Sequence, residues 1–179
     1  MQRAIVLDTE TTDLIHNRTL KIDKQPHIIE FYGCLVNLKT GKIKKKVHHL
    51  IKPPVEITEE ITHITTISNE HVKNSPPFAD VADEIIDLIE SGEYAIAHNL
   101  AFDKEMLDLE VERLKRPPIK WPRLLCTVEQ TISLRGYRLN LNDLHRLLFS
   151  EPFADAHRAN IDGAALTRCC IELVRRNAL

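Results

Sequence analysis

The chain predicts an α/β fold, a mixed sheet with helices on its faces. Three observations carry that expectation. Two strand-like runs flank a hairpin early in the chain, next to a first apolar strand. After them, strands and helices alternate, the pattern of a sheet whose later strands are parallel. The length of 179 residues, with 43% apolar and 28% charged content, suits one domain, 1–179, able to bury a core.

The elements follow in order. Ala4 to Leu7 is an apolar, β-favouring run that ends in Asp8-Thr9-Glu10-Thr11-Thr12. A polar loop, 15–25, leads to strand-like runs at 27–38 and 42–52, joined by the turn Lys39-Thr40-Gly41. A Thr-rich helical stretch covers 56–72. Apolar residues at 78, 81, 82, 85, 86 and 89 predict an amphipathic helix over 78–90, ended by Gly92. Residues 94–98 read as a short buried strand, 100–114 as a helix and 121–127 as a last strand. Asn140 caps a helix over 140–149, and a long helix closes the chain at 160–176. Three Pro-Pro pairs punctuate the sequence without a low-complexity linker or an internal repeat.

Composition excludes several classes. No apolar run is long enough to span a membrane, and Asp8 interrupts the first strand before a signal-peptide core could form. Cys34, Cys126, Cys169 and Cys170 lack C-x-x-C spacing and sit in apolar contexts. They read as reduced side chains of a cytoplasmic protein. A net charge of −2 argues against coating nucleic acid by counterion release, but not against gripping one strand end through metal ions. Lys39, Lys42, Lys44, Lys45 and Lys46 form a basic cluster that reads as protection of a sheet edge, with phosphate contact as the alternative.

The acids carry the chemistry. Asp8 and Glu10, at i and i+2, share one face at the end of the first strand. Neighbouring carboxylates repel, and a hard divalent cation with a preference for oxygen relieves that repulsion. A loop cap at Asp8 and a solvated Glu10 would give the same pattern. Asp103 shares a helix face with Leu107, Val111 and Leu114, at offsets of 4, 8 and 11. It is either a helix-start cap or an inward acid needing a cation. Asp162 lies on the stripe of Ala165, Leu166, Cys169 and Leu173. Gly163 beside it marks either a close approach or a frayed first turn.

Four acids converging at one sheet edge fit a two-metal centre for phosphodiester hydrolysis, with ions about 3.5–4 Å apart. Zinc fits poorly, because neither H-E-x-x-H nor a spaced Cys/His set occurs. A base to deprotonate water is also needed. Nine histidines qualify, and His157, five residues before Asp162, is the best placed.

Leu7-Asp8-Thr9-Glu10-Thr11-Thr12, then His98-Asn99-Leu100-Ala101-Phe102-Asp103, then His157-Arg158-Ala159 with Asp162 resemble the three exonuclease motifs of the DEDDh (DnaQ-like) 3′–5′ exonuclease family. The motifs occur in order and span nearly the whole chain. The resemblance implies a ribonuclease H-like fold with a mixed five-stranded sheet, three antiparallel strands before the parallel ones. It also implies nucleotides hydrolysed one at a time from a 3′ end, as 5′-monophosphates. Asp8, Glu10, Asp103 and Asp162 then correspond to ligands of two Mg²⁺ or Mn²⁺ ions, and His157 to the general base.

By the same resemblance Thr9, Thr11 and Phe102 approach the terminal nucleotide, and Leu14 is either a wedge against its base or a core plug. Asn99 resembles a residue that either supports the metal ligands from behind or positions backbone, and Ile61-Thr62-His63-Ile64-Thr65 matches the I-H-G-I-T segment near the 3′ nucleotide. Asp13 and Ile64 stand where the family often has glycine, and Cys126-Thr127 where it has Asp-Thr. None of these touches a metal ligand. The expected substrate is single-stranded or frayed DNA, with RNA as the rival and a partner-docking module of a polymerase as the reading from another class. No tail resembling a polymerase-binding segment is legible, which favours a free-standing enzyme over one with a polymerase partner.

Overall fold

Alternation along the first strand decides which side of the sheet each residue serves. Ile5 and Leu7 join Phe31, Ile85, Leu88 and Leu107 in one core, while Ala4 and Val6 join Tyr32, Cys34 and Leu166 in another. The computed structural model describes residues 3–15, 20–153 and 157–179. Its strands are β1 (Ala4–Thr11), β2 (Ile28–Asn37), β3 (Lys42–Leu50), β4 (Tyr94–Ala97) and β5 (Arg123–Cys126). They form one five-stranded sheet in the order β3-β2-β1-β4-β5. β1 runs antiparallel to β2 and parallel to β4, and β4 is parallel to β5. The expected mixed sheet is present.

The helices are α1 (Glu59–Thr65), α2 (Asn69–Val72), α3 (Phe78–Glu90), α4 (Leu100–Arg113), α5 (Thr127–Arg135), α6 (Leu141–Phe149) and α7 (Ala159–Arg175). On α3 the predicted stripe is buried at Phe78, Val81, Ala82, Ile85 and Ile89. α3 and α4 cover one face of the sheet, and α7 covers the other. The cysteines are free, with Cys34, Cys169 and Cys170 buried. Among the described residues no helix is long and apolar enough to cross a membrane.

Two stretches differ from the sequence reading. The helical stretch expected over 56–72 is two short helices. Thr66 takes the left-handed conformation (φ 60) and ends α1, and a Ser68–His71 capping box starts α2. The reading assigns nothing between 127 and 140, yet the nine residues of α5 stand there, closed by Gly136 at φ 80. Its buried residues include Thr127 and Thr131, so no apolar stripe announces it.

Candidate active site

The parity that sends Val6 into the α7 side of the core places Asp8 and Glu10 on the same side, at the end of the strand. Asp162 arrives from the first turn of α7. Gly163 allows this: a Cβ there would lie 2.1 Å from Tyr32 Cδ1, so only glycine lets the helix rest on that ring. The close approach, not a frayed turn, explains the glycine. As a result, single carboxylate oxygens of Asp8, Glu10 and Asp162 all lie within 4.8 Å of one another.

Asp103 enters from the other face. It is buried in the first turn of α4, after the N-cap residue Asn99, and accepts a hydrogen bond from Thr9 Oγ1 at 2.9 Å. It lies outside the three-oxygen set, but its charge acts on Asp8.

Crowding disturbs every member. Burial, then the charges of Asp103, Asp162 and Glu10, hold the Asp8 carboxyl well above its usual range. Burial, then Asp162 and Glu30, push Glu10 up to about 8. Burial pushes Asp103 up to about 7 against the bonds from Thr9. Burial also raises Asp162, opposed by a hydrogen bond from the His157 backbone amide to Oδ2 at 3.0 Å. Asp162 Oδ1 is buried and has no hydrogen-bond partner among the described residues. The guanidinium of Arg158, which lowers Glu10, is itself engaged by Glu30. An all-oxygen set with an orphaned acceptor and mutual repulsion fits a hard divalent cation.

The RNase_T exonuclease family model matches residues 5–168. The chain belongs to this exonuclease family. DNA polymerase III subunit epsilon of Rickettsia conorii is 31% identical over 177 residues, 96% of this chain and 74% of that protein. The 3′-5′ exonuclease DinG of Bacillus subtilis is 31% identical over 184 residues, 98% of this chain and 18% of its own length. The nuclease domain of 3′hExo, a DEDDh family member solved with rAMP, superposes with a TM-score of 0.80 at 16% identity, covering 99% of this chain and 94% of that one. Exonuclease X in complex with DNA gives 0.71 at 21%, covering 98% and 93%. At such identities the solved structures speak for the ribonuclease H-like fold alone. Together with the family match, the relatives make the chain a DnaQ-like 3′–5′ exonuclease.

The remaining predicted residues of the exonuclease fall in several places. Thr9, Glu10, Thr11, Leu14 and Phe102 line one pocket of about 410 Å³ with Ile61, Ile64 and Thr65 of α1. Leu14 is 73% exposed, which rules out a core plug. Thr11 Oγ1 donates to the Asp13 carbonyl at 2.7 Å and fixes the turn that presents it. Asn99 precedes α4 in the left-handed conformation (φ 78) and makes no side-chain cap. His63 lines a different cavity, with Thr62, Thr66 and Glu70. His157, at φ 70, is exposed and its ring makes no hydrogen bond to another described residue.

His98 is no rival for the base. Its Nε2 donates to the Leu139 carbonyl at 3.0 Å, its Nδ1 meets Thr127 Oγ1 at 2.9 Å, and burial pushes it down to about 4. Sequence reading overlooked Glu30, the one ionic residue in the apolar run 28–36. That isolation was the available signal.

Proposed function

We propose that this exonuclease removes nucleotides one at a time from the 3′ end of single-stranded or frayed DNA, with two divalent cations, Mg²⁺ or Mn²⁺, and His157 as general base. The supporting observation is three carboxylate oxygens within 4.8 Å of one another, on residues of which Glu10 also lines the pocket holding Leu14. When bound, the cations lower the pKa of water and offset charge on the leaving oxygen. Asp8, Glu10, Asp103 and Asp162 hold them.

His157 accepts the proton of the attacking water as its oxygen bonds to phosphorus. The bond from phosphorus to the 3′ oxygen of the preceding nucleotide breaks, and the terminal nucleotide leaves as a 5′-monophosphate. Thr9, Thr11 and Phe102 seat that nucleotide, Leu14 packs against its base, and Asn99 sets the backbone before Asp103. His63, on another side of α1, is read as meeting the strand beyond it. Relatives named DNA polymerase III subunit epsilon favour DNA as substrate and keep a polymerase partner in view. We read 1–179 as a single exonuclease domain, and its free cysteines suit the cytoplasm.

The test is digestion of matched 5′-labelled single-stranded DNA and RNA with Mg²⁺, Mn²⁺ or chelator. The expected result is a metal-dependent ladder shrinking from the 3′ end, faster on DNA. A faster RNA ladder would overturn the substrate, and no ladder on either would leave a docking module.

A further inference from the structure

Glu30 is a fully buried carboxylate on β2, directly opposite Glu10 across the β1–β2 pairing. Its charge raises Asp8, Glu10 and Asp162, and unpaired it would also be a buried ion at full desolvation cost. Instead each of its oxygens receives two hydrogen bonds. Oε1 accepts from Arg158 Nη2 at 3.0 Å and meets His48 Nε2 at 2.8 Å. Oε2 accepts from Arg158 Nε at 3.1 Å and from the Ala159 backbone amide at 2.8 Å. A carboxylate has about four acceptor positions, and all are filled. Burial pushes Glu30 up, but the bonds from Arg158, His48 and Ala159 outweigh it and hold the group below its usual value.

These partners are the residues that follow His157. The His157 amide donates to Asp162 Oδ2, and the next two residues are fastened to Glu30. His157 itself adopts the left-handed backbone conformation, disfavoured for any residue bearing a Cβ. Such a conformation persists only where its surroundings over-determine it. Here the flanking anchors do so, one on a metal ligand and one on a carboxylate that reaches no solvent.

We propose that Glu30 and Arg158 form a clamp that positions His157 for proton transfer. Both are positioning residues that hold the backbone on which the imidazole is carried. The inference rests on the reading of His157 as general base. Because a fork of two parallel bonds fixes direction as well as distance, the clamp sets where the ring can point. Reacting groups must be held closely, and small misplacements slow chemistry far more than binding.

The test is a double-mutant cycle on single-turnover hydrolysis of 5′-labelled single-stranded DNA, with Glu30→Gln, His157→Ala and the pair. Gln puts an amide donor where the clamp has donors already. Glu30→Gln is expected to slow the chemical step by about 10–100-fold, the range for losing an outer-shell partner. KM should stay as in wild type. In the His157→Ala background it should cause no further loss, because the group it positions is gone. Equal losses in both backgrounds would overturn the clamp and assign Glu30 to the metal centre or the fold. A His157→Ala enzyme at the wild-type rate would instead remove the base assignment, with Glu30→Gln still reporting its own effect. Should Glu30→Gln fail to fold by circular dichroism, Arg158→Lys replaces it, keeping the charge while losing the fork.

Discussion

Asp8→Asn should stabilise the metal-free protein while abolishing its hydrolysis. Asp8 sits in a set of three carboxylates whose oxygens lie within 4.8 Å of one another, and at an effective dielectric of about 20 two full charges at that separation repel by about 3.5 kcal/mol. Partial protonation lowers the realised figure, since Asp8 is itself held well above its usual range and Glu10 is pushed up to about 8. A net gain of about 1–3 kcal/mol remains, a rise in melting temperature of roughly 3–10 °C for a chain of this size. The gain depends on pH in a definite direction. The folded values of Glu10 and Asp103 lie above the unfolded ones, so the folded state binds extra protons between them, and wild-type stability falls as pH rises from about 4 to about 8.

Thermal melts in chelator at about pH 5 and pH 8 read this directly. Wild type should lose stability across the interval, Asp8→Asn should lose less, and added Mg²⁺ should raise the wild-type melting temperature more at the higher pH. An Asp8→Asn protein melting at or below wild type in chelator at pH 8 would refute the repulsion argument.

Three further outcomes are expected. His157→Ala should reduce turnover by about 10²–10⁴-fold with an unchanged melt, and an unaltered rate would move the base elsewhere. Leu14→Ala should change stability by less than about 0.5 kcal/mol, because the side chain is 73% exposed, while raising KM for oligonucleotides; a large drop in melting temperature would contradict its exposure. Gly163→Ala should destabilise by about 1–3 kcal/mol and weaken Mg²⁺ binding, since the new methyl would press on Tyr32 and move Asp162. A variant with wild-type Mg²⁺ titration would show that α7 does not need that contact.

Much of this was legible in residue order. The period of 2 along β1 put Asp8 and Glu10 on one side, and the helical stripes picked out Asp103 and Asp162 as inward acids. What stayed hidden had no periodic signature. α5 buries threonines rather than a stripe, and Leu14 could be read as wedge or plug until its exposure was known. The Glu30 network joins residues 128 positions apart, a proximity that only the β1–β2 register and the seating of α7 create. His63 belongs to a matching segment, yet the face of α1 turned to Glu10 carries Ile61, Ile64 and Thr65, a distinction set by helix rotation.

β1 lies third of five strands, and over Ala4–Val6 it is paired on both sides, to β2 and to β4. Amides of that stretch exchange with solvent only when the sheet as a whole opens. Asp8 and Glu10 lie beyond the β4 pairing and are held by β2 alone, with a register shift between Glu10 and Thr11, so the acid-bearing end of the strand opens more readily than its centre.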